Sequence, residues 1–142
     1  MSWLLDTCVL SEYVRARPQA AVIEWLDAQD ESRLFVSQLS LAELERGVVK
    51  LRQTDKARAR KLAQWLAKVE KRFTERTLPL DTTTLRVWAQ LCGEADAAGQ
   101  RIAALDAMLM ATAQRYGLTV VTRNVADFAR YALVFNPWVR PD

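Results

Sequence analysis

The chain has no histidine among its 142 residues, only two cysteines, four glycines and four prolines, and no long uninterrupted apolar run. The missing imidazole excludes most. Hydrolysis by Ser-His-Asp or Cys-His pairs, ribonuclease chemistry through paired histidines and the histidine-bearing zinc patterns all require it. Carboxylates working with a hard cation are left. Cys8 and Cys92 lie far apart, so they are expected as reduced thiols in a reducing compartment, with the cytoplasm as the expected location. No apolar run approaches the ~20 residues that span a bilayer, and Arg15, Arg17 and Glu24 interrupt the N-terminal region; a soluble, membrane-free protein is expected. No Gly-rich loop follows the first strand, which demotes nucleotide-cofactor binding. The strand-like Leu4-Leu5-Asp6-Thr7 runs into Cys8-Val9-Leu10-Ser11-Glu12, with neither a dinucleotide fingerprint nor a P-loop. Without a Gly/Ser linker or internal repeat, residues 1–142 are expected to form one domain.

What is present suits a packed α/β domain: 51% hydrophobic and 26% charged residues, in a length that buries roughly 70% of the unfolded surface. Short β-favouring segments at Trp3 to Leu5, Leu34 to Val36, Leu78 to Leu80, Thr119 to Thr122 and Leu133 to Phe135 alternate with helical periodicity. That alternation predicts a mainly parallel sheet of four to five strands, covered by helices on both faces. Ser40 precedes an apolar-periodic run to about Leu51; Asp81 with Thr82 to Thr84 precedes one to the Gly99 region; a third begins near Asp106 and stops at Gly117. Leu62, Trp65, Leu66, Val69 and Phe73 make one stripe on a helix whose other faces are basic, and with the preceding helix it reads as a projecting hairpin over about residues 40–74. Residues 46–76 hold eleven basic side chains against three acids, a net of +8, which leaves −5 on the remainder. A basic hairpin beside an acidic body suits a protein that grips a polyanion in one place and does carboxylate chemistry in another.

Four acidic stretches attract attention. Asp6 follows a buried strand and so lies at the carboxyl edge of the sheet, where open α/β folds place ligands. Glu43 sits beside the inward Leu41 and Leu44, and Asp106 opens the apolar run Ala107 to Ala113. After Val120-Val121-Thr122-Arg123, both Asn124 and Asp127 compete for a fourth position. Each acid taken alone could be a turn residue, a helix cap or a solvated side chain. Parallel topology would bring them together, and carboxylates that close need a cation; oxygen-only donors select Mg²⁺ or Mn²⁺.

These residues carry a resemblance. Leu-Leu-Asp-Thr-Cys-Val-Leu-Ser-Glu at 4–12, Ser40 to Leu44, Leu105 to Ala113, Val121 to Asn124 with Asp127-Phe128, and Phe135-Asn136-Pro137-Trp138 resemble, in order, the motifs of PIN-domain proteins of the VapC type. These are the toxin half of bacterial toxin–antitoxin pairs, and the FitB-like variety is the nearer likeness. The resemblance implies a three-layer α/β/α sandwich and a Mg²⁺-dependent endoribonuclease, with Asp6, Glu43 and Asp106 on the family's acidic positions. Where many relatives carry an acid after Thr-Arg, this chain has Asn124, with Asp127 as the nearby substitute. One-metal and two-metal arrangements both stay open. Thr7, Ser40 and Thr122 are expected to orient the ligands, and Arg46, Lys50, Arg52 and Arg123 to contact RNA phosphates. Further implied are a VapB-type antitoxin partner, a homodimer for which Trp65 and Trp138 are surface candidates, and DNA contact only through the antitoxin. Two other functions fit the same residues: a non-catalytic module that docks a basic partner, and a metal-dependent DNA nuclease.

Overall fold

In the computed structural model, which describes residues 1–139, five strands and seven helices alternate. They are β1 (Trp3–Leu5), α1 (Thr7–Ser11), α2 (Ala20–Ala28), β2 (Leu34–Ser37), α3 (Gln38–Arg52), α4 (Lys56–Arg72), β3 (Thr77–Leu78), α5 (Thr82–Ala97), α6 (Ala104–Tyr116), β4 (Thr119–Val121), α7 (Val125–Phe128) and β5 (Val134–Phe135). The last three residues of the expected 1–142 unit lie outside the described residues.

Every strand pairing is parallel, in the order β3-β2-β1-β4-β5. Because successive strand residues point to opposite faces, the strands divide their apolar side chains between two cores. Leu5, Val36 and Val121 join Val9, Val22, Leu44, Leu66 and Phe73 on one side. Leu4 and Val120 join Leu91, Met110, Ala113 and Phe128 on the other. Helices α1–α4 therefore cover one face and α5–α7 the other, which is the expected three-layer sandwich. Strands buried on both faces need no polar alternation, hence their continuous Leu and Val runs.

Helix borders follow local chemistry. Asp81 caps α5 through Thr84 N–H at 3.0 Å, and Gly117, at φ 66°, ends α6 in the left-handed conformation that glycine adopts without strain. Ser40, expected at the start of α3, is instead its third residue; Ser37 is the cap and accepts from Leu39 N–H at 3.0 Å. The two serines flank the same turn, and β2 extends far enough to make the first of them the boundary. The hairpin consequently begins at Gln38. Its second helix buries Ala59, Leu66 and Val69 and leads into the buried Phe73, so the stripe belongs to the core while the basic faces stay exposed.

Two of the hairpin's cations are structural. Arg72 and Arg76 both pair with Glu31, and Arg76 also donates to the carbonyls of Glu31 (2.6 Å), Leu34 (2.7 Å) and Arg72 (2.9 Å) while lying 4.6 Å from the Phe73 ring centre. They fasten the hairpin's base to the approach of β2. Trp3, Trp25 and Phe135 form an aromatic cluster, and Trp65 and Trp138, named above as surface candidates, pack half-buried against the first core. Among the described residues no helix is long and apolar enough to cross a membrane, and both cysteines are free.

Candidate active site

β1 is central: the chain moves from it to β2 and β3 on one side, then returns to lay β4 on the other. The order reverses between β1 and β4, and in open parallel sheets that crevice, beyond the carboxyl ends of the strands, is where ligands bind. Asp6 stands there. Its backbone N–H donates to Val121 O at 3.0 Å, its Oδ1 accepts from Thr7 N–H at 2.7 Å, and its Oδ2 accepts from the Thr122 hydroxyl at 2.9 Å. Thr122, fully buried, accepts in turn from Asn124 N–H at 3.0 Å. The ends of β1 and β4 are thus tied through one carboxylate.

Glu43 comes from the second turn of α3 and accepts at Oε1 from the Thr7 hydroxyl at 3.3 Å. Asp106 lies in the first turn of α6, where the helix dipole favours a carboxylate; it is the third helical residue, and Ala103 occupies the cap. Both side chains are half-buried. Burial, then repulsion from Asp6, raises the Glu43 carboxyl above its ordinary range; Asp106 adds to the rise, while the Thr7 hydroxyl and Arg46 oppose it. Burial, then Asp6 and Asp127, raises Asp106. Asp6, Glu43 and Asp106 therefore act on one another electrostatically, and Asp127 acts on Asp106. None of the four forms an ion pair among the described residues.

Of the two residues that compete for the fourth position, Asp127 repels Asp106 and lines with it a cleft of about 520 Å³. Asn124 caps α7 by position only; its exposed side chain makes no capping hydrogen bond, and its backbone does the work at Thr122. Of the three hydroxyls expected to orient ligands, Thr7 donates to Glu43 and Thr122 to Asp6. Ser40 is buried with its hydroxyl unpartnered among the described residues.

Cys8 was not singled out from sequence, yet its thiol lies 3.7 Å from Asp6 Oδ2 and 3.9 Å from Thr122 Oγ1. Burial and the Asp6 charge push that thiol up, so it stays protonated and donates to the carboxylate. Its place directly after Asp6-Thr7 was the available signal. A second cleft, of about 610 Å³, lies on the other side of the site, where Thr7 and Glu43 share the lining with Arg15, Arg58 and Lys61. Arg46, one turn beyond Glu43, is exposed, as are Lys50 and Arg52 further along α3. Arg123 follows Thr122 at the sheet edge, its guanidinium 5.7 Å from the Trp138 ring centre.

The chemistry of the donor set suits a hard cation: oxygen ligands only, no ion pair to any of the four acids among the described residues, and two carboxyls raised by burial and then by repulsion from neighbouring acids. Among the described residues, no three Asp, Glu or Cys side chains already stand close enough to chelate an ion as a group. Mg²⁺ does not require that, because it keeps several waters and is held through one or two carboxylates.

A family profile described as PIN domain matches residues 3–133. The chain belongs to the PIN-domain family. This PIN domain is 37% identical over 138 residues to Toxin FitB of Neisseria gonorrhoeae, covering 95% of this chain and 97% of that protein. It is 34% identical over 136 residues to the VapC ribonuclease Y4jK of Sinorhizobium fredii, with 95% and 96% covered. A solved structure of FitAB bound to an IR36 DNA fragment superposes with a TM-score of 0.89 at 33% identity, over 99% of this chain and 98% of that one.

Proposed function

We infer that this PIN domain is a VapC-type endoribonuclease toxin, hydrolysing RNA phosphodiester bonds at the Asp6–Glu43–Asp106–Asp127 site and neutralised by a VapB-type antitoxin. The observation that carries the reading is that Asp6, Glu43 and Asp106 lie within electrostatic reach of one another, with Asp127 beside Asp106, and that none of the four forms an ion pair among the described residues. Its support among relatives is the 34% identity to a VapC ribonuclease and the 37% identity to Toxin FitB.

Asp6 and Asp106 would hold Mg²⁺, or Mn²⁺ in its place, with Glu43 and Asp127 beside them; Asn124, a neutral and weaker ligand, is the alternative to Asp127. When bound, the cation supplies Lewis-acid polarisation of the phosphate and lowers the pKa of water. Thr122 and the Cys8 thiol hold Asp6 Oδ2 in place, and Thr7 fixes Glu43 through one oxygen, leaving the other to take a proton from the attacking water. Glu43 suits that part because its pKa is raised toward neutrality. Exposed Arg46, Lys50 and Arg52, with Arg123 at the sheet edge, contact phosphates and position the strand without reading it.

The antitoxin presents a basic segment to the same acids, so that inhibition and catalysis compete for one site, and any DNA contact runs through that partner. The toxin works in the cytoplasm, where its RNA is, and as a homodimer; light scattering giving a monomer at micromolar concentration would remove the dimer. The decisive experiment is expression in a bacterial host of the wild type and of Asp6→Asn, with mapping of new RNA 5′ ends. Growth arrest with discrete new ends in the wild type alone is expected. Arrest without new ends, or equal arrest by the variant, would overturn the reading.

A further inference from the structure

The cleft on the Asp106–Asp127 side holds more than carboxylates. Arg101, in the segment between α5 and α6, and Arg130, just after α7, line it together with Gln100 and Tyr131. Neither arginine forms an ion pair or side-chain hydrogen bond among the described residues, although both share the cleft with two acids. The pair Gln100 and Tyr131 is by contrast fixed. Tyr131 Oη donates to Gln100 Oε1 at 3.2 Å, and the Tyr131 backbone is held by Phe128 O (3.1 Å) and by the Gln114 side-chain amide (2.5 Å). Gln100 is held through its own N–H to Ala95 O at 2.8 Å. With its oxygen occupied by the tyrosine, the Gln100 side chain has its NH₂ group left to offer.

We propose that this cleft is the subsite for the nucleotide adjoining the scissile phosphate. Arg101 and Arg130 take the next phosphate along the strand, while the Tyr131 ring and the Gln100 NH₂ take the base, through an acceptor on its edge. The cleft's volume of about 520 Å³ lies within the range of small-ligand sites. Guanidinia beside an anchored aromatic ring are a combination that single-stranded RNA uses, one for backbone and one for base. The amide adds a donor that can discriminate among bases, which phosphate contacts cannot. Preorganisation of the Gln100–Tyr131 pair by the two segments that carry the arginines makes one rigid unit of the cleft wall. The proposal rests on the ribonuclease reading given above.

The test uses a single-stranded RNA oligonucleotide and the full chain carrying Asp6→Asn to silence cleavage, with and without Arg101→Ala/Arg130→Ala, across a salt series. The double variant is expected to bind about tenfold more weakly, and the slope of log Kd against log salt to fall by about 0.7, the contribution of the one single-strand phosphate that the two arginines share. In the cleaving chain, Gln100→Ala and Tyr131→Phe are expected to broaden the base preference at the cut site, with KM rising more than kcat falls. Unfolding temperature checks that the variants remain folded; the arginines are exposed. If the wild type cleaves RNA but affinity, slope and cut-site distribution are unchanged in the variants, the subsite is overturned and the nuclease reading stands. If the wild type neither binds nor cleaves RNA, both fall.

Discussion

The Thr122 hydroxyl donates to Asp6 Oδ2 at 2.9 Å while accepting from Asn124 N–H at 3.0 Å, so one buried side chain joins the acid at the end of β1 to the loop that leaves β4. The proposed catalytic acid is therefore held by the neighbouring strand as well as by its own.

Thr122→Val removes both bonds while keeping the shape. It is expected to destabilise the fold by about 1–3 kcal/mol, because the half-buried Asp6 carboxylate and the Asn124 N–H each lose a hydrogen bond. Loss of the support for a ligating carboxylate is expected to lower Mg²⁺ affinity or cleavage by about 10- to 100-fold. Urea unfolding and cleavage rates check the two effects separately; an unchanged cleavage rate would show that Asp6 needs no such support.

Asp127 and Asn124 make opposite predictions. Asp127→Asn is expected to cut Mg²⁺-dependent cleavage by about tenfold or more, as loss of a metal-site carboxylate or its support does. Asn124→Ala is expected to stay close to wild type, since its backbone N–H, which survives the substitution, makes the contact to Thr122. The reverse ranking would return the fourth position to the amide.

The pH dependence of the metal-free chain follows from the raised carboxyls. Glu43 and Asp106 bind protons more tightly in the folded state, so their contribution to stability is largest in mild acid and is lost as pH rises from the ordinary carboxylate range, about 4, through their raised values. Asp81 acts oppositely: Arg115 holds it at about 2, so its contribution persists above the ordinary range and is lost as pH falls toward that value. Unfolding temperature without metal is therefore expected to peak in mild acid. Glu43→Gln should flatten the decline toward neutrality, and millimolar Mg²⁺ should raise the neutral side by binding the folded state. A wild-type profile that rises steadily from acid to neutral pH without metal would contradict this.

Glu12 is the fully buried carboxylate of the chain's opening motif, accepting from Gln19 N–H at 2.7 Å and from Arg15 at 3.5 Å. Glu12→Ala is expected to cost about 2 kcal/mol or more, since it takes the acceptor from the Gln19 N–H, removes a charge-assisted bond and empties a buried position; Glu12→Gln, which keeps an acceptor, is expected to cost less. Equal losses in the two variants would show that the volume of the side chain, rather than its hydrogen bonds, is what the fold needs.

The layers were legible because strands buried on both faces must be apolar throughout, and Leu4-Leu5 and Val120-Val121 say so without tertiary information. Asp6, Glu43 and Asp106 were legible from their positions at the ends of apolar segments. Harder to read were features that depend on which atoms meet. Ser37 and Ser40 are equivalent as caps in sequence, and pairing of β2 with β3 as far as Ser37 decides between them. Glu12 looks like a solvated acid until the Gln19 backbone closes over it. Arg72 and Arg76 count toward the basic hairpin by composition, yet Glu31 and three carbonyls hold them at its base. Arg101 and Arg130 lie outside the basic stretch, and the return of the chain after α7 brings them to one cleft.

The most direct test of the central claim is cleavage of single-stranded RNA by the purified chain with Mg²⁺, with EDTA, and by Asp6→Asn and Asp106→Ala with Mg²⁺. Cleavage by the wild type that EDTA abolishes and added Mg²⁺ restores, and that both variants lack, is the predicted result. Cleavage that survives chelation or either substitution would contradict the account.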